Sequence, residues 1–125
     1  MNKMFSVPIK IYEHTFHCIV TRDPNYVRRV FRRVGWEVKL STGDVERIQQ
    51  GAGGMCWYGP QSLTMMWIGK LPRTSYHRSV LVHECTHACV QLLCLRGIPI
   101  NSTCDEPLAF LLDYTFMEFD KKMSK

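Results

Sequence analysis

A chain of 125 residues with 16 Lys+Arg against 11 Asp+Glu, a net charge of +5, falls within the roughly 100–200 residues of one domain. Its composition, 46% hydrophobic and 22% charged, is too apolar for a disordered chain. No run approaches the ~18 consecutive apolar residues that cross a bilayer, and the N-terminal MNKMFSVPIKIYEH lacks the apolar stretch and cleavage site of an export signal, so a cytoplasmic protein without a membrane partner is expected.

Val7, Ile9 and Ile11 alternate within residues 7–12, and residues 15–20 (TFHCIV) are equally strand-like, which predicts a hairpin. Asp23 as a cap, Pro24 in the first turn and Gly35 just past the end frame a helix over 24–34. Tyr26, Val27, Val30, Phe31 and Val34 gather on one side of it, and Arg28, Arg29, Arg32 and Arg33 on the other. Trp36, Val38 and Leu40 alternate as in a half-buried strand over 36–40. Ser41 or Thr42 can cap a short helix reaching Gln50. The GAGG of 51–54 breaks that pattern, and strands at Met55–Tyr58 and Leu63–Ile68 follow, joined by a Gly-Pro turn. A long helical run over 75–96 closes at Arg96, Gly97 and Pro99. A last helix is expected over about 107–119, with the tail KKMSK frayed.

The six cysteines, Cys18, Cys56, Cys85, Cys89, Cys94 and Cys104, are expected to stay reduced in the cytosol. Cys85, Cys89 and Cys94 fall inside the apolar helical run, where a free thiol acts as a small buried hydrophobe. No C-x-x-C pair occurs, so a zinc ribbon is not supported.

Residues 80–95 (VLVHECTHACVQLLCL) hold eleven Val, Leu, Ala or Cys among sixteen, so this helix is expected to be buried around most of its circumference. It nevertheless carries His83, Glu84 and His87. Ionisable groups buried without a partner cost several kcal/mol each, which argues for a shared partner. Four residues apart, His83 and His87 lie about 40° from each other on the helix surface and can address one ion, with Glu84 beside it. This is the H-E-x-x-H arrangement, and the implied cofactor is Zn2+.

A catalytic zinc usually takes three protein ligands and a water. Cys104, Asp105 and Glu106 stand just beyond the Gly97–Thr103 loop, and Cys56 is an upstream rival. Glu106 is preferred, because it lies 19 residues after His87 (106 − 87) and its longer side chain reaches farther from a helix start. Ordinary N-terminal capping accounts for either carboxylate without a metal, and for Asp105 it is the preferred reading. Zinc lowers the pKa of bound water from 15.7 to about 7 and polarises a carbonyl; Glu84 is then placed to accept the water proton and deliver it to a leaving amine. Tyr114, Tyr76 and His77 are candidate oxyanion donors. Asp113, seven residues after Glu106, is a candidate partner for the outer nitrogen of a ligand histidine.

The segment from Gly54 to Phe119, about half of the chain, resembles the zincin-like metallopeptidases of the gluzincin type, in which HExxH is followed by a glutamate ligand on the next helix. More closely, VLVHECTHA with Gly97-Ile98 and DEPLAFLLDY is similar to small metallopeptidases encoded by bacteriophages and prophages. The resemblance implies an α+β, minimal zincin-like domain over 1–125, with a small, mostly antiparallel sheet packed on the HExxH helix and a C-terminal ligand-bearing helix. It further implies His83, His87 and Glu106 as zinc ligands, Glu84 as the catalytic carboxylate, a strand around Thr64–Ile68 edging the cleft, a peptide or protein substrate, and a host cytoplasm if phage-encoded.

Two alternatives belong to other classes: a metal-binding regulatory protein that keeps the HExxH helix without general peptidase activity, and a nucleic-acid-associated protein. The second rests on residues 22–39, where six Lys/Arg against Asp23 and Glu37 supply +4 of the net +5. A known binding motif and interleaved aromatics are both missing there, which favours a solvated arginine face. Accordingly, replacing Arg28, Arg29, Arg32 and Arg33 by Ser should leave DNA binding as weak as in wild type at ~0.15 M salt. A wild-type dissociation constant well below micromolar at that salt would promote the nucleic-acid reading.

Overall fold

The computed structural model describes residues 1–59 and 63–125. Its described elements are strand β1 (Lys3–Ile9), a 3-10 turn (Lys10–Tyr12), β2 (His14–Val20), α1 (Pro24–Arg33), α2 (Thr42–Gln50), β3 (Gly54–Tyr58), β4 (Leu63–Ile68), α3 (Ser75–Leu95) and α4 (Glu106–Met123). The chain is therefore α+β. The four strands form one mixed sheet in the order β1-β2-β4-β3, antiparallel at both outer pairs and parallel between β2 and β4.

Strand alternation sends side chains to two separate apolar clusters. Phe16, Cys18, Val20, Met66 and Ile68 face α3 and α4, while Ile19, Met65 and Trp67 face Val27, Val30 and Phe31 of α1 and Ile48 of α2. The sheet is thus covered on both sides, which explains why the central strand β4 is a nearly unbroken apolar run, LTMMWI. Trp67, fully buried, satisfies its indole by donating to Thr21 O at 2.8 Å.

Local signals place the elements around this core. Asp23 caps α1 by accepting from Asn25 N at 2.9 Å, with Pro24 in the first turn. Ser41 and Asp44 form a reciprocal capping box on α2, and Gly51, in the left-handed region at φ 68°, ends it. A Cβ on Gly51 would also press into the Arg22 side chain, whose guanidinium donates to Gln49 O.

Several expectations change. Residues 36–40 form no strand: Trp36, Val38 and Leu40 are half-buried and pack on the α1 cluster from an irregular segment. Their alternation reflects contact with the helix layer of α1 and α2. The expected Gly-Pro turn lies at the border of the described residues, and Pro60 is outside them. The C-terminal helix does not fray at KKMSK but continues to Met123, which is buried, with Lys122 Nζ donating to Ser6 O. Cys94 is exposed, unlike Cys85 and Cys89. No helix among the described residues is long and apolar enough to cross a membrane.

β2 also buries a histidine. His14 Nε2 lies 2.8 Å from Thr64 Oγ1 on β4, and its Nδ1 has no partner among the described residues. With Nε2 protonated and donating, the orphan is a lone pair. Burial, aided by the charges of Arg96 and His17, lowers the pKa of His14 from 6.5 to about 4. Between these values the unfolded chain binds more protons than the folded one, so stability is present above about pH 6.5 and is lost as pH falls toward 4. Urea denaturation should show a loss on the order of 2 kcal/mol across that window attributable to this residue. A His14→Gln variant should show a correspondingly flatter pH dependence; equal slopes in the two proteins would refute the assignment.

Candidate active site

α3 does not bury most of its circumference. Its buried stripe is Leu81, Glu84, Cys85, Ala88, Cys89, Leu92 and Leu93, whereas His83 and His87 are exposed. Thr74 starts the helix by accepting from His77 N at 3.2 Å. One turn apart on the open side, His83 Nε2 and His87 Nε2 converge to 3.1 Å, with the rings nearly perpendicular at 82°. Tetrahedral zinc with Zn–N of about 2.0–2.1 Å sets two ligand nitrogens about 3.3–3.4 Å apart. The pair is therefore within a few tenths of an ångström of the spacing one shared ion requires.

Glu84 lies beside them on the flank of the helix toward the sheet edge and is only 5% exposed. Its carboxylate lies against Gly54 at the start of β3. A Cβ there would come within 2.7 Å of Glu84 Cγ and 2.8 Å of Oε2, so only glycine leaves room. Burial raises the pKa of Glu84, opposed by the nearby His83, His87 and Arg47. A carboxyl held this way is a better proton acceptor than a solvated one, which suits general-base work.

β3 is the outer strand next to this helix, so it edges the cleft, whereas the resemblance assigns that place to Thr64–Ile68. β4 instead lies inside the sheet between β2 and β3. The cleft, about 500 Å³, is walled by α2 through Asp44 and Arg47 and by β3 through Cys56 and Tyr58, with His83, Glu84 and His87 on its floor. Burial pushes the Cys56 thiol up to about 12; the Tyr58 hydrogen bond pulls it down, and the Glu84 charge adds to the rise. Burial likewise raises the Tyr58 phenol. Asp44 is held by its capping bond from Ser41 N at 3.1 Å.

Glu106 stands apart from this group. It is exposed in the first turn of α4 and lines a different cavity with Ile9, Tyr12, Phe110 and Tyr114. The cause is helix length. Cys89 meets Thr115 across the two helices, and α4 begins nine residues before Thr115, about 13 Å away along its axis. That end lies by Tyr12, whose carbonyl accepts from Arg96 just past the end of α3. Tyr114 shares the Glu106 cavity, and Asp113 is exposed on α4. His77 is engaged at the start of α3, its Nδ1 2.8 Å from Thr74 Oγ1, and Tyr76 is exposed. None of these residues lines the His83–His87 cleft. Among the described residues, no three His, Cys, Asp or Glu gather into a metal-binding set.

Arg47 and Tyr58 are cleft residues that the sequence reading missed. Their positions depend on α2 folding over the sheet edge and on the pairing of β3, and neither leaves a motif. Gly54 had a visible signal in the GAGG run, but a turn was sufficient to explain it. Comparison of the chain with protein-family models, curated protein sequences and solved structures finds no match.

The glycine contact gives a direct test. Gly54→Ala should destabilise the protein by about 1–3 kcal/mol in urea denaturation through overpacking. In a Glu84→Ala background, which removes the clashing atoms, the same substitution should cost much less. Additive effects in the double variant would show that the two positions do not compete for this space.

Proposed function

We propose that the chain is a zinc-dependent hydrolase acting on peptide bonds, with His83 and His87 holding the metal and Glu84 serving as general base. The observation that carries this reading is the 3.1 Å convergence of two imidazole nitrogens on an open helix face beside a buried carboxylate. The resemblance to zincin-like metallopeptidases supports it. The donor set fits zinc in its two nitrogens. Asp44 is occupied at the α2 cap, Cys56 shares the cleft, and Glu106, which lines a different cavity, is left out of the proposed set.

Zinc, when bound, supplies an acidified water and polarises a carbonyl. The rest is the work of the chain's own groups. His83 and His87 offer their Nε2 lone pairs, which requires each ring to carry its proton on Nδ1. Glu84 takes a proton from the attacking water at a carboxylate oxygen and passes it to the departing amine nitrogen. Gly54 lets that carboxylate sit at the strand edge where a substrate backbone would lie. The incomplete donor set favours one second reading, a metal-binding regulatory domain without hydrolysis.

Metal analysis after zinc reconstitution should find about one zinc in wild type, little in His83→Ala or His87→Ala, and wild-type content in Glu106→Ala. Retention of zinc by both histidine variants would sink the site. Glu84→Gln should keep zinc and lose at least ~100-fold in peptide hydrolysis; undiminished turnover would remove Glu84 as the base. Stoichiometric zinc without hydrolysis of any peptide pool would select the regulatory reading.

A further inference from the structure

The outer edge of β3 has a defined supply of backbone groups. Gly69 N donates to Gly53 O at 3.2 Å, and Gly54 is paired in register with Ile68. In an antiparallel ladder alternate residues turn their N–H and C=O to the same side. Gly53, Met55 and Trp57 therefore bond toward β4, while Gly54, Cys56 and Tyr58 present theirs outward.

Arg47 already occupies the first of these places. Its Nη2 donates to Gly54 O at 2.7 Å, and the same nitrogen would lie 3.2 Å from a Cβ on Gly53, a close approach that the missing side chain allows. The guanidinium makes no ion pair among the described residues. With one of its five N–H groups spent on a carbonyl, it borders the cleft beside His83 and Glu84. Asp44, the nearby acid on α2, is turned to the backbone of Ser41.

Resting on the peptidase reading of the same cleft, we propose that Arg47 binds the C-terminal carboxylate of a peptide substrate, making the enzyme one that trims peptides from the carboxyl end. An extended substrate can pair with Cys56 and Tyr58 but not beyond Gly54, whose carbonyl is taken. Its last residue therefore stops at Arg47, where a guanidinium recognises a carboxylate by paired charge-assisted hydrogen bonds. The carboxyl end at Gly54 and the body of the peptide toward Tyr58 fix a direction antiparallel to β3. Because Glu84 lies against Gly54, the bond within its reach is close to the substrate's end. In the reaction, the water oxygen bonds to the carbonyl carbon and the C–N bond breaks. Glu84 carries one water proton to the released amine, and the short product leaves with its carboxylate from Arg47.

The test uses two degenerate N-acetylated hexapeptide pools, identical except that one ends in a free carboxylate and the other in an amide. Zinc-loaded Glu84→Gln protein, full length, is incubated with each pool, and retained peptides are measured by affinity selection and mass spectrometry. The acid pool should be retained at least ~10-fold over the amide pool, as for loss of a charge-assisted bond of about 1.5–3 kcal/mol. The preference should fall to parity in an additional Arg47→Gln change and survive in part with Arg47→Lys. Parity in the Arg47-containing protein, or retention of neither pool, overturns the assignment. Wild-type digestion separates the two readings. Cuts at interior bonds of the amide pool would leave the peptidase standing and refute the role of Arg47, whereas selective retention of the acid pool without cleavage would keep the carboxylate site and refute the peptidase.

Discussion

The contact between the Glu84 carboxylate and the bare Cα of Gly54 sets the distance between α3 and the edge of the sheet. A charged or protonated carboxyl in so confined a place costs free energy that must be offset elsewhere, and the surrounding layout does this. Cys85, Ala88 and Cys89, small side chains on the adjoining stripe, let α3 lie close to the sheet. Arg47 reaches across from α2 and fastens Gly54 by its carbonyl. The strand is thereby pinned from above by an arginine and from below by a glutamate, and the two exposed histidines inherit a fixed position relative to it.

The two-sided sheet separates tasks. One apolar cluster joins β1, β2 and β4 to α3 and α4 and bears the candidate site. The other, rich in aromatic side chains, joins α1, α2 and the 36–40 segment, with Phe31 in edge-on contact with Trp36 and Trp57. α2 belongs to the second layer by its Ile48 anchor, yet its Arg47 side reaches around the open edge of β3. The cleft is therefore built by both layers meeting at the one strand edge between them.

Much of this was legible in the residues. Helix boundaries followed caps that act locally, such as Asp23 with Pro24 and the Ser41 cap, and β2, β3 and β4 followed short-range alternation and apolar runs. The first strand instead lies at Lys3–Ile9, and residues 10–12, read as its end, form a 3-10 turn with Ile11 exposed. His83, Glu84 and His87 share a helix, so their spacing alone brought them to one place. Misreadings occurred where position depends on partners distant in sequence. Trp36, Val38 and Leu40 alternate like a strand but pack on the α1 cluster from an irregular segment and join no sheet edge. The order of β3 and β4 is decided by the parallel pairing of β4 with β2, about which the hairpin signal is silent. The distance of Glu106 from His87 depends on how far α3 runs before the chain turns back, a length that a count of intervening residues does not convert into direction.

The parallel pairing of β2 with β4 has a consequence for how the molecule comes into being. Thr15 is matched with Leu63 and Val20 with Ile68, so the inner edge of the first hairpin waits for residues made almost fifty positions later. Closing that long loop costs entropy before any contact across it is gained. During synthesis the unpaired amides of β2, flanked by Phe16, Cys18 and Ile19, form an open template of the kind that recruits other chains. The insertion of β4 is thus the step at which β2, the exposed inner strand of the nascent hairpin, becomes interior to the sheet.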